Sequence, residues 1–189
     1  MEEKRVYTKE DCKETGDEVN LDKKVVVIKE EALRGRAEYP LAFCISSGGQ
    51  SCSEGGTVKL VDLQSSTYFS MNRKDILGTL NPKFLPEHAK LQLSQIRPVN
   101  AGPPDERKEL YSGYCFLEDG RYSAGVWLNG ALEAVEYAFM QKPYQHRVML
   151  CDSDDFCVLE IVNGEVTFPQ GETIRNGEVK EQYEDMHMT

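Results

Sequence analysis

The chain has 189 residues, of which 40% are hydrophobic and 29% charged, and a formal net charge of −10. That length suits one ordinary domain or two small ones, and the apolar share supports a core although it lies below the globular average. No apolar run approaches the roughly 18 residues of a membrane-spanning helix, and no cluster of Lys and Arg offers a footprint for a phosphate backbone.

Most of the negative charge sits in the flanks. Residues 1–22 hold eight acids and four bases and residues 170–189 hold five acids and two bases, so the core, 23–169, carries only −3. A DNA mimic needs a strongly acidic core; acidic flanks are better accounted for by solubility. The first residues are charged throughout and lack the apolar stretch of a secretory signal, which points to a cytoplasmic location. Cys12, Cys44, Cys52, Cys115, Cys151 and Cys157 are then expected as free thiols, and those beside Phe116, Leu150 and Phe156 as small core hydrophobes. No Asn-x-Ser/Thr sequon occurs, in keeping with that address.

In chain order, residues 1–22 are polar and are expected as an arm with a short helix at most. The β-branched run 24–28 reads as a buried strand, and 41–45, after Pro40, as a second. Residues 48–56 form a small-residue loop holding Gly48, Gly49, Gly55 and Gly56. A strand over 57–63 and a hairpin partner over 66–70 follow. Asn72 is placed to cap a helix over 73–80, with Asp75 in the first turn where a carboxylate complements the helix dipole. Asn81 and Pro82 interrupt it. Pro86 opens a second helix, with Leu85, Ala89, Leu93 and Ile96 at helical spacing. Residues 97–109, with three prolines, a glycine and a charge run, read as a linker.

The clearest order lies over 114–168. Asp119 and Gly120 separate an apolar run at 114–117 from an alternating one at 122–128. Asn163 and Gly164 likewise separate 156–162 from 165–168. Both dipeptides supply the positive φ angles of a tight primed turn. Between the hairpins a helix begins near Asn129, with Leu132, Val135, Ala138 and Phe139 on one stripe, and Glu133, Glu136 and Gln141 off it. Pro143 stops the helix, 145–151 is a strand, and 152–155 turns into the last hairpin. The stretch 170–189 reads as an acidic arm. No internal repeat is visible.

The fold class is therefore α+β: small antiparallel or mixed sheets, each packed by one or two helices, in two lobes (23–96 and 110–169), separate or fused.

Chemistry is sparse. Gly48, Gly49, Gln50, Ser51, Cys52 and Ser53 lie in a loop whose glycines permit backbone N–H groups to approach a ligand. It has neither a dinucleotide fingerprint nor a Lys-Ser/Thr ending, and a strand follows it. Its alternatives are a plain hairpin loop or a recognition loop. Cys52 can be a nucleophile only with a base, and the histidines are His88, His146 and His187; His146 is the partner to test. Cysteine spacings of 44 to 52 and 151 to 157 are too wide for ordinary zinc pairs. Asp152, Asp154 and Asp155 resemble the start of a calcium loop, but Phe156, Cys157 and Asn163 stand where that loop needs an oxygen ligand, glycine and glutamate. Trp127, with Tyr122, Tyr137, Tyr144 and Phe139, forms either an aromatic recognition surface or core; an alternating strand favours core, with Trp127 against the helix and Gly125 marking a bulge.

The expected function is a non-enzymatic interaction protein that needs no cofactor or metal. It contacts a protein partner or small ligand through the 48–56 loop or a sheet edge, with no membrane and no direct nucleic-acid contact. The alternative is a small hydrolase or transferase using Cys52 and His146 or a carboxylate cluster; a pocket gathering Cys52 or Cys151 with His146 would favour it.

Overall fold

A computed structural model describes residues 6–33, 39–46, 56–98 and 109–169. The chain divides into two compact units between Gln92 and Leu93. Each unit is built on one antiparallel sheet with helices packing on it, which is the coarse α+β arrangement expected.

The first unit holds β1 (Cys12–Thr15), β2 (Val25–Ile28), α1 (Glu30–Leu33), β3 (Leu41–Ser46), β4 (Thr57–Asp62), β5 (Tyr68–Asn72), β6 (Ile76–Leu80) and most of α2 (Glu87–Leu93). The sheet order is β1-β6-β2-β3-β4-β5. All four residues of β2 are buried, which is why it reads as an unbroken β-branched run instead of alternating. One core gathers Leu21, Val26, Ile28, Ala42, Cys44, Val58, Leu60, Met71 and Ile76, with Ala32 and Leu33 of α1 packed against it.

Two expectations fail in this unit. The helix over 73–80 exists only as a single 3-10 turn, Arg73–Asp75, in which the Asn72 side chain accepts from Lys74 N–H at 3.0 Å. Ile76–Leu80 is instead β6, hydrogen-bonded on both sides, to β1 and β2. Gly78 and Thr79 are poor helix formers, and two strand partners outweigh one cap. The N-terminal stretch does carry a short helical turn, Lys9–Asp11, but it is not otherwise an arm: Cys12–Thr15 completes the sheet beside β6. It is tied down by Arg73, whose buried guanidinium donates to the carbonyls of Gly16 at 2.7 Å and Val19 at 3.3 Å.

The second unit holds β7 (Leu110–Phe116), β8 (Val126–Asn129), α3 (Gly130–Gln141), β9 (Arg147–Cys151), β10 (Cys157–Val162) and β11 (Glu165–Phe168), in the order β11-β10-β9-β7-β8. Asn163 and Gly164 both adopt positive φ, 51° and 76°, as the primed turn between β10 and β11 requires. Arg97 belongs to this unit and bonds Glu133; residues 99–108 of the expected linker, and 170–189, lie outside the described residues. Among the described residues no helix is long and apolar enough to cross a membrane.

Candidate functional site

In β7 the side chains of Tyr111 and Cys115, and the Cα of Gly113 between them, face α3, and the side chains of Ser112, Tyr114 and Phe116 the opposite side, by the two-residue period of a strand. Gly113 is required for the α3 side. A Cβ there would lie 2.5 Å from the Tyr137 ring, so only glycine lets that ring seat on the sheet. Tyr137 then donates from its hydroxyl to the Ser94 carbonyl at 2.6 Å and lies 3.4 Å from Cys115 Sγ.

This seating rotates α3 away from the expected stripe. Leu132 is 48% exposed, whereas Glu133, Ala134, Tyr137 and Gln141 are buried beside Val135 and Ala138. The buried polar groups are satisfied, as such groups must be. Glu133 accepts from Asn129 N–H and from Arg97 Nε, both at 2.8 Å, and Gln141 Nε2 donates to the Leu93 carbonyl at 2.8 Å.

The face turned away from α3 is the candidate site. Register places its side chains in three cross-strand rows. Tyr122, Phe116, Arg147 and Val162 form the first; Tyr114, Met149 and Glu160 the second; Trp127, Ser112, Cys151 and Cys157 the third. Trp127 and Tyr122 are each 65% exposed. The expectation that Trp127 packs on the helix is therefore overturned: Val126 and Leu128 take the helix side, so the residue between them must face the other way. Tyr137 and Tyr144 are buried, so they belong to the interior. Gly125 serves close approach; the Tyr114 ring lies where its Cβ would be, at 2.7 Å.

The polar groups on this face are matched among themselves. Arg147 stacks its guanidinium 5.0 Å above the Phe116 ring and donates from Nε to Glu160 at 2.8 Å. Thr167, and then Arg147, hold the Glu160 carboxyl below its ordinary range. Arg121 is paired with Asp119 at 2.6 Å. Among the described residues of this face, the Ser112 hydroxyl is buried, in register between Trp127 and Cys151, without a hydrogen-bond partner.

Of the residues singled out for catalysis or binding, Cys151, Trp127 and Tyr122 stand on this face. Gly48, Gly49, Gln50, Ser51, Cys52 and Ser53 lie outside the described residues, as does His187. His146 and Cys151 flank opposite ends of β9, about 16 Å apart at ~3.3 Å per strand residue. They do not form a nucleophile–base pair. His146 Nδ1 instead meets Asn163 Oδ1 at 2.9 Å, and His88 Nε2 meets the Tyr39 hydroxyl at 2.8 Å. Burial pushes the thiols of Cys44 and Cys115 up to about 12, which leaves them protonated and unreactive. Asp152 uses its carboxylate to build a turn, accepting from Asp154 and Phe156 N–H at 3.0 and 2.9 Å. Among the described residues no group of three metal-ligating side chains converges.

No family model, no curated protein and no solved structure matches this chain.

Proposed function

We propose that this chain is a non-enzymatic protein-binding module, and that the second unit captures an uncharged, apolar polypeptide segment on the sheet face turned away from α3. The exposure of Trp127 and Tyr122 on one sheet face, beside Tyr114, Phe116 and Met149, carries the reading. Trp, Tyr, Met and Arg are the residue types that interfaces concentrate, and Trp, Tyr and Arg dominate their hot spots. The charge pattern selects the class of partner. Arg147 on this face and Arg121 in the turn before Tyr122 are each already paired to a carboxylate, so among the described residues the face offers no surplus cation to a polyanion. An apolar segment brings no charge that this internally paired surface would have to match, and one polar group on it can satisfy the Ser112 hydroxyl. The thiol-enzyme alternative has no described pair behind it, since Cys151 and His146 stand at opposite ends of β9.

The test is selection of a tryptophan-free random-peptide display library on the immobilised full chain. The reading predicts enrichment of apolar peptides whose affinity falls roughly thirtyfold on Trp127→Ala, the ~2 kcal/mol of a central aromatic anchor. Peptides that bind Trp127→Ala and Tyr122→Ala as tightly as the parent would contradict it.

A further inference from the structure

We propose that Cys151 and Cys157 are a thiol-modification site that closes into a cross-strand disulfide by exchange with a small organic disulfide. The two residues are Cα partners in the β9–β10 ladder, and both thiols are free in this structure. The ladder shifts register by a β-bulge between Cys157 and Leu159, so the pair stands at its irregular step. Opposed residues of a regular antiparallel pair lie about 4.5–5.5 Å apart at Cα, within the ~4.4–6.8 Å that a disulfide spans. The turn that joins them does not depend on the thiols. Asp152 N–H donates to the Phe156 carbonyl at 2.9 Å, and the Asp152 carboxylate holds the N–H groups of Asp154 and Phe156. The other buried thiols lack such a partner: Cys44 stands opposite Leu60, and Cys115 opposite Val148.

The half-buried Cys157 meets the reagent first, because Cys151 is only 4% exposed. Its thiolate attacks one sulfur of the small disulfide, forming a mixed disulfide and expelling one small thiolate. The Cys151 thiolate then attacks the Cys157 sulfur, forms the protein disulfide and expels the second. The two protein thiols lose two hydrogens between them, and the small disulfide is reduced to two thiols.

The surroundings set the pace. Burial raises the Cys151 thiol, with further contributions from Cys157, Asp155 and Asp152; burial and then Glu160 raise Cys157, partly opposed by Arg147. The thiolate is the attacking species, so closure is slow at neutral pH and quickens as pH rises. A reduced pair that is not stabilised as thiolate also makes its disulfide hard to reduce. The site therefore behaves as a slow latch and not as an exchange catalyst.

Trypsin cuts after Arg147 and next after Arg175, so peptide 148–175 carries both thiols and no other cysteine. The full chain is incubated with oxidised glutathione at mildly alkaline pH, blocked with iodoacetamide, digested without reduction and weighed. The expected product is peptide 148–175 short of two hydrogens and free of the blocking group. Cys151→Ser should stop the reaction at the mixed disulfide, with glutathione retained on Cys157. A parent peptide that carries two blocking groups, or two glutathiones, would overturn the assignment.

Discussion

Single side chains account for three features that composition does not disclose. Arg73 is a buried cation whose guanidinium holds Gly16 and Val19 onto the first sheet. Arg73→Met should cost about 1.5–3 kcal/mol by urea unfolding, the usual worth of hydrogen bonds to a charged group. Gly113 is an absence that fits a ring. Gly113→Ala should cost about 1–3 kcal/mol through overpacking against Tyr137, again by urea midpoint. Cys44 and Cys115 tie stability to pH. Their folded-state values lie near 12 against an ordinary 9.0, so the unfolded chain releases these protons first. Their contribution is fully present below about pH 9 and is lost as pH rises toward 12. A denaturation series through that range should show falling stability, with a shallower slope in Cys115→Ala; equal slopes would show that the thiol is not responsible.

At the scale of elements, local signals carried far where they were complete within a few residues. The Asn163–Gly164 turn stands as read, and Leu85, Ala89, Leu93 and Ile96 are all buried, although α2 itself spans only Glu87–Leu93. The partner of β4 is Tyr68–Asn72 and not 66–70, and Asp119–Gly120 closes only a single bridge, Phe116 to Tyr122, while β8 pairs with residues 110–113. Signals that depend on a distant partner did not carry. A cap at Asn72 says nothing about β1 and β2 waiting on either side of residues 76–80. The stripe of α3 was drawn from hydrophobicity alone, yet Gly113 and the hydrogen bonds of Glu133 and Gln141 decide which side is buried. Only half of the candidate site was legible. The alternation of Val126, Trp127 and Leu128 places the indole opposite the helix, against the general preference of tryptophan for the core. The rotation of α3 makes its own prediction. Glu133→Ala strips Asn129 N–H and Arg97 of their shared acceptor and should destabilise by about 1–3 kcal/mol, whereas Leu132→Ala, on the exposed side, should stay within about 0.5 kcal/mol. Equal costs in calorimetry would restore the original stripe.

For the whole molecule the proposal is a division of labour within one sheet: one side buried under α3, the other bearing aromatic groups toward a partner. Because the charges on that second side are internally paired, capture should weaken little between low and high salt, unlike contact with a polyanion. The chain's one tryptophan is the reporter for this claim, since Trp127 stands on the proposed contact face and is 65% exposed. Its emission in the free protein should be that of a hydrated indole, open to quenching by acrylamide. Titration with a selected tryptophan-free peptide should then shift that emission to the blue and protect it from the quencher, saturating with the binding isotherm. A peptide that binds fully while Trp127 keeps the emission and quenching of the free protein would contradict the account.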